Sequence, residues 1–287
     1  MKFIMTNDVE SHSFESNSLD DSIARRIEDE AMPKLLLLHK KHKIKATFFF
    51  VATFAKSYPN TVRMVAQEGH EIACHGYDHM DYYDILDYSE QVRLLHKSKK
   101  IIEDVSSQEV VTFRAPALRI NKHTVRALEK TGFLFDSSVA SQRFDGPFTS
   151  GALRKLGWLT AHRTPYYMSY DNPFKMGSSS VLEIPVSAFL WPFIGTHMRI
   201  SPFITKNIQK ILNYEAKRIN KPLVFLFHPS ECLSFLKKNT KKRGNYFSDQ
   251  LRHSIKMRNL GEPAIDLLDS IFINNTYQFI RICDMRS

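Results

Sequence analysis

The sequence has few cysteines, few glycines and no long apolar run. Its three cysteines among 287 residues, Cys74, Cys232 and Cys283, are odd in number and widely spaced. This pattern is typical neither of a disulfide framework nor of a zinc knuckle, and it fits a reducing compartment. The ordinary share of hydrophobic residues, 43%, with 10 Gly and 12 Pro, excludes collagen-like, low-complexity and wholly disordered chains.

Neither a membrane span nor a secretory signal is visible. The longest apolar runs, at 48–55 and 188–194, are far shorter than the roughly 18 consecutive apolar residues that a spanning helix needs. Asp8 and Glu10 occupy positions where the apolar core of a signal peptide would lie. We therefore expect a cytoplasmic protein.

Positive charge is concentrated in one part of the chain. The net charge is +10, and residues 201–260 contain 13 Lys or Arg against 3 Asp or Glu. Such asymmetry indicates an anionic partner, with a solvated basic face as the alternative. The densest part lacks the interleaved aromatic residues that stack on bases, so nucleic acid is not expected. An anionic membrane surface or a sugar phosphate is the expected partner of its five cations, which are Lys237, Lys238, Lys241, Lys242 and Arg243.

Strand and helix patterns alternate about seven times without a linker, which predicts one domain over residues 1–287. Parallel strands with helical crossovers are typical of such a pattern. No glycine-rich phosphate loop follows the first strand, so a nucleotide-binding fold lacks support. The chemically reactive residues follow strand ends, as in a (β/α) barrel.

The predicted strands are 2–8, 46–51, 70–74, 110–113, 133–135, 181–186, 222–228 and 278–282. The predicted helices are 18–43 (kinked or divided at Pro33), 59–67, 89–105 (capped by Ser89), 121–132 (capped by Asn121), 204–219 and 264–273, with loops over 141–180.

Two short motifs predict a metal site. Asp8 and Glu10 share one face of the first strand because alternate side chains of a strand point the same way. His75 and His79 would share one side of a helical turn that Gly76 allows to be tight. Two imidazoles and one carboxylate form a metal site with positions left for water.

Three further polar residues follow later strands. Arg114 ends the fourth strand, and its guanidinium is either the partner of a buried acid or a clamp for substrate. Asp136 follows the fifth strand, where taken alone it is typical of a helix or turn cap. His228 ends a strongly apolar strand, which favours an active-site role.

In this order, the motifs resemble the polysaccharide deacetylase (NodB homology) family. The resemblance includes Ala46-Thr47-Phe48-Phe49 and Glu68-Gly69-His70-Glu71-Ile72, and it covers roughly residues 1–140 and 222–232. It implies a deformed (β/α) barrel and metal-dependent removal of an N-acyl group, usually acetyl, from an amino sugar. Val9 between the two acids, Ala117-Leu118 after Arg114-Ala115-Pro116, and Ala140 depart from the usual family pattern. These departures predict a pocket unlike that of chitin-type enzymes.

The resemblance also implies a role for each site residue. Glu10, His75 and His79 resemble the metal ligands, Asp8 the catalytic base and Arg114 the residue that orients this base. His228 resembles the catalytic acid and Asp136 the residue that orients it. Zinc is the expected ion, and iron, cobalt, nickel or manganese accept the same ligands.

The expected substrate is an N-acylated sugar of a glycan or glycan precursor. Three alternatives remain open at this point. They are a deformylase or deacetylase of a lipid-linked sugar, an amidase of a non-sugar amide such as a ureide, and a catalytically silent barrel that binds carbohydrate.

Overall fold

The computed structural model describes residues 1–11, 19–142, 157–234, 254–273 and 277–286. Within these residues, nine strands form one sheet in the order β10-β1-β2-β3-β4-β5-β7-β6, and β11 pairs with β1. In the described part of this sheet, only the β6–β7 ladder is antiparallel. The strands of this sheet are β1 (Lys2–Val9), β2 (Thr47–Phe50), β3 (Glu71–Cys74), β4 (Thr112–Phe113), β5 (Phe135–Asp136), β6 (Tyr166–Tyr167), β7 (Leu182–Glu183), β10 (Leu223–Phe227) and β11 (Gln278–Phe279). A separate hairpin pairs β8 (Ala188–Phe189) with β9 (Trp191–Pro192).

The sheet curls into the deformed barrel that the sequence predicts. Beyond β7, the Val186 N–H donates to the carbonyl of Val139, and the Ser187 N–H donates to the carbonyl of Val224 in β10 at 3.1 Å. The segment that follows β7 therefore bonds both to the chain just after β5 and to β10, the strand at the other end of the strand order. Because β1, β2, β3, β4, β5, β7 and β10 run parallel, their carboxyl ends lie at the same end of the barrel.

Helices cover the outside of the barrel. They are α1 (Asp21–Arg26), α2 (Met32–Lys41), α3 (Ala52–Ser57), α4 (Pro59–Gln67), α5 (Tyr88–Ser106), α6 (Thr124–Lys130), α7 (Gly195–Ile200), α8 (Pro202–Ile219) and α9 (Glu262–Ile273). A π-helical turn, Ile27–Ala31, joins α1 to α2. Pro33 lies in the first turn of α2, so the predicted division occurs on its N-terminal side. No helix in the described part of the chain is long and apolar enough to cross a membrane.

Several predicted details are wrong. Asp87, not Ser89, caps α5, because the Asp87 carboxylate accepts from the Glu90 N–H at 2.9 Å. Asn121 lies before α6 and accepts from the N–H of His123, the residue at the N-cap position. The region predicted as loops contains β6, which pairs antiparallel with β7.

Apolar burial fixes the strands that carry the site. Every residue of β1 except Lys2 is buried, as are all residues of β2, β3 and β10. Strands buried on both faces are expected to be continuous apolar runs, as parallel strands covered by helices are. The polar residues of β1 and those following β3 and β10 are therefore held at the barrel end by a rigid core.

Candidate active site

Six of the seven predicted site residues form one cluster at the carboxyl ends of the strands. Asp8 is the penultimate residue of β1, and Glu10 directly follows β1. His75 follows β3, Arg114 follows β4 and His228 follows β10. His79 is the sixth, and it lies in the loop after His75. The seventh, Asp136, is the last residue of β5 and has a different set of neighbours.

Glu10, His75 and His79 converge on one point. The His79 Nε2 lies 2.6 Å and the His75 Nε2 3.5 Å from the Glu10 Oε2. One donor atom from each of the three residues falls within 4.8 Å of the others. Two imidazole nitrogens and one carboxylate oxygen in this arrangement match the donor set of a catalytic zinc site, which keeps a further position open.

A second observation supports the fit of a metal ion. The His75 Nδ1 lies 2.8 Å from the backbone carbonyl oxygen of Arg114. Since a carbonyl only accepts, the Nδ1 donates this bond, which turns the Nε2 toward Glu10 and His79. Metal-binding histidines are usually oriented by such a bond from the other ring nitrogen. The residues present therefore fit a divalent ion.

An irregular turn, rather than the expected helical turn, brings His79 to the site. Gly76 has φ +79°, and a Cβ there would lie 2.9 Å from the Cγ of Pro116, so the position requires glycine. The Asp81 Oδ2 accepts from the backbone N–H of Tyr77 at 2.8 Å and of Asp78 at 3.0 Å. These bonds hold the loop between the two histidines.

The cluster is electrostatically coupled. Burial alone would raise the pKa of Glu10, but His79 and His75 outweigh burial and hold the pKa well below its usual range. Burial alone would lower the pKa of His79, but the Glu10 carboxylate raises it. Glu10 is therefore an anion in a buried site, which favours a cation bound between it and the imidazoles.

Arg114 holds Asp8 as the sequence suggests. Its Nη1 donates to the Asp8 Oδ1 at 2.7 Å and to the Thr6 hydroxyl at 2.9 Å. Its Nε and Nη2 donate to the carbonyl and hydroxyl of Ser137 at 2.9 and 2.8 Å. The guanidinium also stacks 4.1 Å above the Phe49 ring. Of the two readings of Arg114, the partner of a buried acid is the one that the geometry shows.

His228 faces Glu10 with one nitrogen and Glu231 with the other. The His228 Nε2 lies 3.9 Å from the Glu10 Oε1, and its Nδ1 lies 3.2 Å from the Glu231 Oε1. Burial alone would lower the pKa of His228, but Glu231, Glu10 and Asp8 together raise it to about 9. The imidazole is thus protonated at neutral pH, as a general acid must be.

The predicted pairing of Asp136 with His228 is wrong. Asp136 lies directly opposite Glu183 in the β5–β7 ladder, and its Oδ1 accepts from the Ser138 hydroxyl at 2.5 Å. The Glu183 Oε1 accepts from the Val139 N–H at 3.0 Å. Burial raises the pKa of both carboxyls, and Asp136 raises that of Glu183 further. Because two adjacent buried carboxyls do not both ionise, this pair keeps a proton at neutral pH.

Sequence reasoning missed Glu231, Glu183 and Asp81. Glu231 follows His228 by three residues, and a 3₁₀ turn over Pro229–Cys232 places the two side chains together. A proline directly after a strand-end histidine, with an acid two positions later, is the signal that could have identified Glu231. Glu183 could be identified only through the register of β5 and β7. The predicted cationic cluster at residues 237–243 lies outside the described residues.

Part of this chain matches known sequences. Residues 7–135 match the sequence model of the polysaccharide deacetylase family, a segment that includes both acids, both histidines and Arg114. A stretch of 96 residues is 35% identical to a peptidoglycan deacetylase-like protein of Gibberella zeae, covering 33% of this chain and 28% of that protein. A stretch of 134 residues is 28% identical to the peptidoglycan deacetylase of Helicobacter pylori, covering 46% of this chain and 45% of that protein.

Comparison with solved structures agrees with the fold. A candidate polysaccharide deacetylase from Mycobacterium smegmatis superposes with a TM-score of 0.62 at 18% identity, over 99% of this chain and 89% of that one. The resemblance to the polysaccharide deacetylase family is therefore confirmed in sequence over residues 7–135, and the solved structure supports the fold alone. The chain spans less than half the length of the two curated relatives that it matches.

Proposed function

We propose that the protein is a metal-dependent hydrolase that removes an N-acyl group, acetyl in the simplest case, from an amino sugar of a glycan or glycan precursor. One observation carries the proposal. The three ligand-type residues Glu10, His75 and His79 lie between an arginine-held carboxylate, Asp8, and a protonated imidazole, His228. Amide hydrolysis needs both of these groups, one to accept a proton from water and one to donate a proton to the amine.

Glu10, His75 and His79 are the proposed metal ligands, and zinc is the proposed ion. When bound, a divalent ion supplies Lewis acidity to an amide carbonyl and to water. The side chains determine the rest of the chemistry, because they set which groups are charged and where a proton can move.

Asp8 is the proposed general base. Arg114 occupies its Oδ1, so the Oδ2, 3.9 Å from the His75 Nε2, is the oxygen available to accept a proton. The ion pair with Arg114 fixes the orientation of the carboxylate. Asp8 therefore accepts the proton of the water molecule whose oxygen bonds to the amide carbon.

His228 is the proposed general acid. Its Nδ1 faces Glu231 and its Nε2 faces the ligand cluster, so the Nε2 proton is the one that can reach the substrate. As the C–N bond breaks, the amine nitrogen takes this proton, because an amine anion is too basic to be the leaving group. The products are a free carboxylate and an amino sugar.

The decisive experiment is a substrate panel with zinc-loaded protein. We expect acetate or formate to be released from at least one N-acyl sugar, and the His228→Ala variant to release it about 10² to 10⁴ times more slowly. The panel contains N-acetylglucosamine oligomers, peptidoglycan fragments, a lipid-linked N-formyl sugar and a ureide. Turnover of the ureide alone would contradict the sugar assignment, and saccharide binding without turnover would indicate a silent carbohydrate-binding barrel.

The expected contacts with an anionic membrane or a sugar phosphate, and the expected cytoplasmic location, stay predictions. The contacts depend on the five cations at 237–243, which lie outside the described residues. Replacing these four lysines and one arginine by glutamine should weaken binding to anionic liposomes. The assay is run at low salt, because exposed charges more than about 8 Å apart are screened at physiological salt. Equal liposome binding by the parent and the variant would indicate a solvated basic surface.

A further inference from the structure

His228 is held by a chain of buried charged groups to which the resemblance gives no role. The Glu231 Oε1 lies 3.2 Å from the His228 Nδ1, and the Glu231 Oε2 accepts from the Nε of Arg199. The side chains of Glu231 and Arg199 are both 0% exposed. The position that Asp136 was expected to hold is thus occupied by a glutamate three residues after His228.

Arg199 is itself fixed at both ends. Its Nη1 donates to the backbone carbonyls of Lys256 and Arg258 at 2.9 and 2.7 Å. Its own backbone carbonyl accepts from the Asn259 Nδ2 at 2.6 Å. Arg199 lies in α7 and its backbone partners precede α9, so two outer segments of the fold fix the guanidinium that holds Glu231.

The packing around Glu231 leaves its carboxylate little room to move. A Cβ at Gly195 would lie 2.5 Å from the Glu231 Oε1 and 2.5 Å from the Cδ2 of Phe227. Even the smallest side chain at the start of α7 would therefore collide with the carboxylate oxygen that faces His228. Close packing against the backbone of another element is what a residue with a fixed orientation requires.

We propose that Glu231 and Arg199 form a positioning relay for the general acid, an inference that rests on the proposed function. Glu231 is a positioning residue, because it acts through His228 and not on substrate. By accepting a hydrogen bond from the His228 Nδ1–H, Glu231 fixes the ring orientation and leaves the Nε2 as the proton donor toward substrate. Arg199 keeps Glu231 ionised and prevents it from rotating away.

A purely structural role for Glu231 is the competing explanation. Its carboxylate also accepts from the backbone N–H of His228 at 3.3 Å, as the cap of a 3₁₀ turn would. Such a cap stabilises the turn through the backbone N–H, so its effect does not depend on which side chain residue 228 has. The relay acts only when the imidazole of His228 is present. This difference defines the test.

The test is a double-mutant cycle on the N-acyl sugar that the panel identifies. For a relay, we expect Glu231→Gln to lower kcat by about 10- to 100-fold with KM within about threefold, and His228→Ala to lower it by about 10² to 10⁴. The double variant should be no slower than His228→Ala, because residues that act as one unit are strongly non-additive. Glu215→Gln is the matched control, since Glu215 pairs with Arg163 and Lys221 outside the site, and it should keep full turnover.

A second readout does not depend on activity. The ¹⁵N shifts of the His228 ring, identified by their loss in His228→Ala, should report a protonated Nδ1 in the parent and in Glu215→Gln, and a changed protonation pattern of the two ring nitrogens in Glu231→Gln. If Glu231→Gln does not fold because Arg199 is left unpaired, the Glu231→Gln/Arg199→Gln variant removes both charges and carries the same expectations.

The outcomes separate the relay from the proposed function. Loss of turnover in His228→Ala with full turnover in Glu231→Gln contradicts the relay alone. A double variant whose loss is the product of the two single losses, or an unchanged ring spectrum, also contradicts it. Full turnover in His228→Ala contradicts the acid role of His228, and the relay with it.

Discussion

Two pairs of histidines lie at opposite ends of the same strand and have opposite surroundings. His75 follows β3, and its ring centroid is 5.8 Å from that of His79. His70 precedes β3, and its ring centroid is 5.3 Å from that of His39 on α2. The spacing is similar, but Glu10 lies beside the first pair, while Phe48 packs against both rings of the second.

The difference is visible in the charges of the rings. Glu10 raises the pKa of His79. Burial, and then Lys45 and Arg281, lower the pKa of His70 to about 4. Burial, and then the neighbouring histidines His70 and His42, lower the pKa of His39 well below its usual range. Within the described residues, neither ring nitrogen of His39 has a hydrogen-bonding partner. Two close imidazoles alone therefore do not indicate a metal site. The feature that distinguishes the first pair is the Glu10 carboxylate beside it.

Removing the base at the first pair should have the largest effect. Asp8→Asn should lower kcat by about 10² to 10⁴ while bound metal stays stoichiometric, because in the proposed mechanism Asp8 accepts a proton and Glu10, His75 and His79 bind the ion. Turnover and metal content of the same preparation measure the two roles separately. Asp269→Asn, which alters an ion pair with Lys41 and His42 on the outer helices, is the control. Loss of metal in Asp8→Asn with metal retained in Glu10→Gln would mean that the two acids exchange roles.

Acidification should act through the second pair. The unfolded chain binds protons at His39 and His70 below about pH 6.5, whereas the folded chain keeps both rings neutral, so the unfolded state binds more protons. Their contribution to stability is therefore complete above pH 6.5 and is lost as the pH falls toward the folded pKa, which is about 4 for His70. For each ring, the free energy of unfolding falls by up to about 1.4 kcal/mol more per pH unit of acidification.

Replacing His39 tests this account. His39→Leu should flatten the dependence of the free energy of unfolding on pH between 6.5 and 4.5, because one of the two buried rings no longer gains a proton on unfolding. Urea unfolding at a series of pH values measures the slope. His96→Gln, at an exposed position of α5, should keep the slope of the parent. An unchanged slope in His39→Leu would contradict the contrast between the two pairs.

Much of the first pair's end of the barrel could be predicted from the sequence. Asp8, Glu10, His75, Arg114 and His228 all follow or end buried apolar strands, and parallel strands place such residues together. Asp136 was assigned to the wrong partner because the register of β5 and β7 is invisible in the sequence, and that register sets it opposite Glu183. The buried histidine His39 was missed, since it lies on a helix whose pattern is otherwise amphipathic.

The metal content of four proteins is the most direct test of the central claim that Glu10, His75 and His79 form a metal site. After loading with zinc and dialysis against zinc-free buffer, we expect elemental analysis to show about one ion per chain in the parent and in His39→Leu. Glu10→Gln and His79→Ala, with folding checked by circular dichroism, should retain essentially none. Stoichiometric zinc in His79→Ala or in Glu10→Gln, or its loss in His39→Leu, would contradict this site.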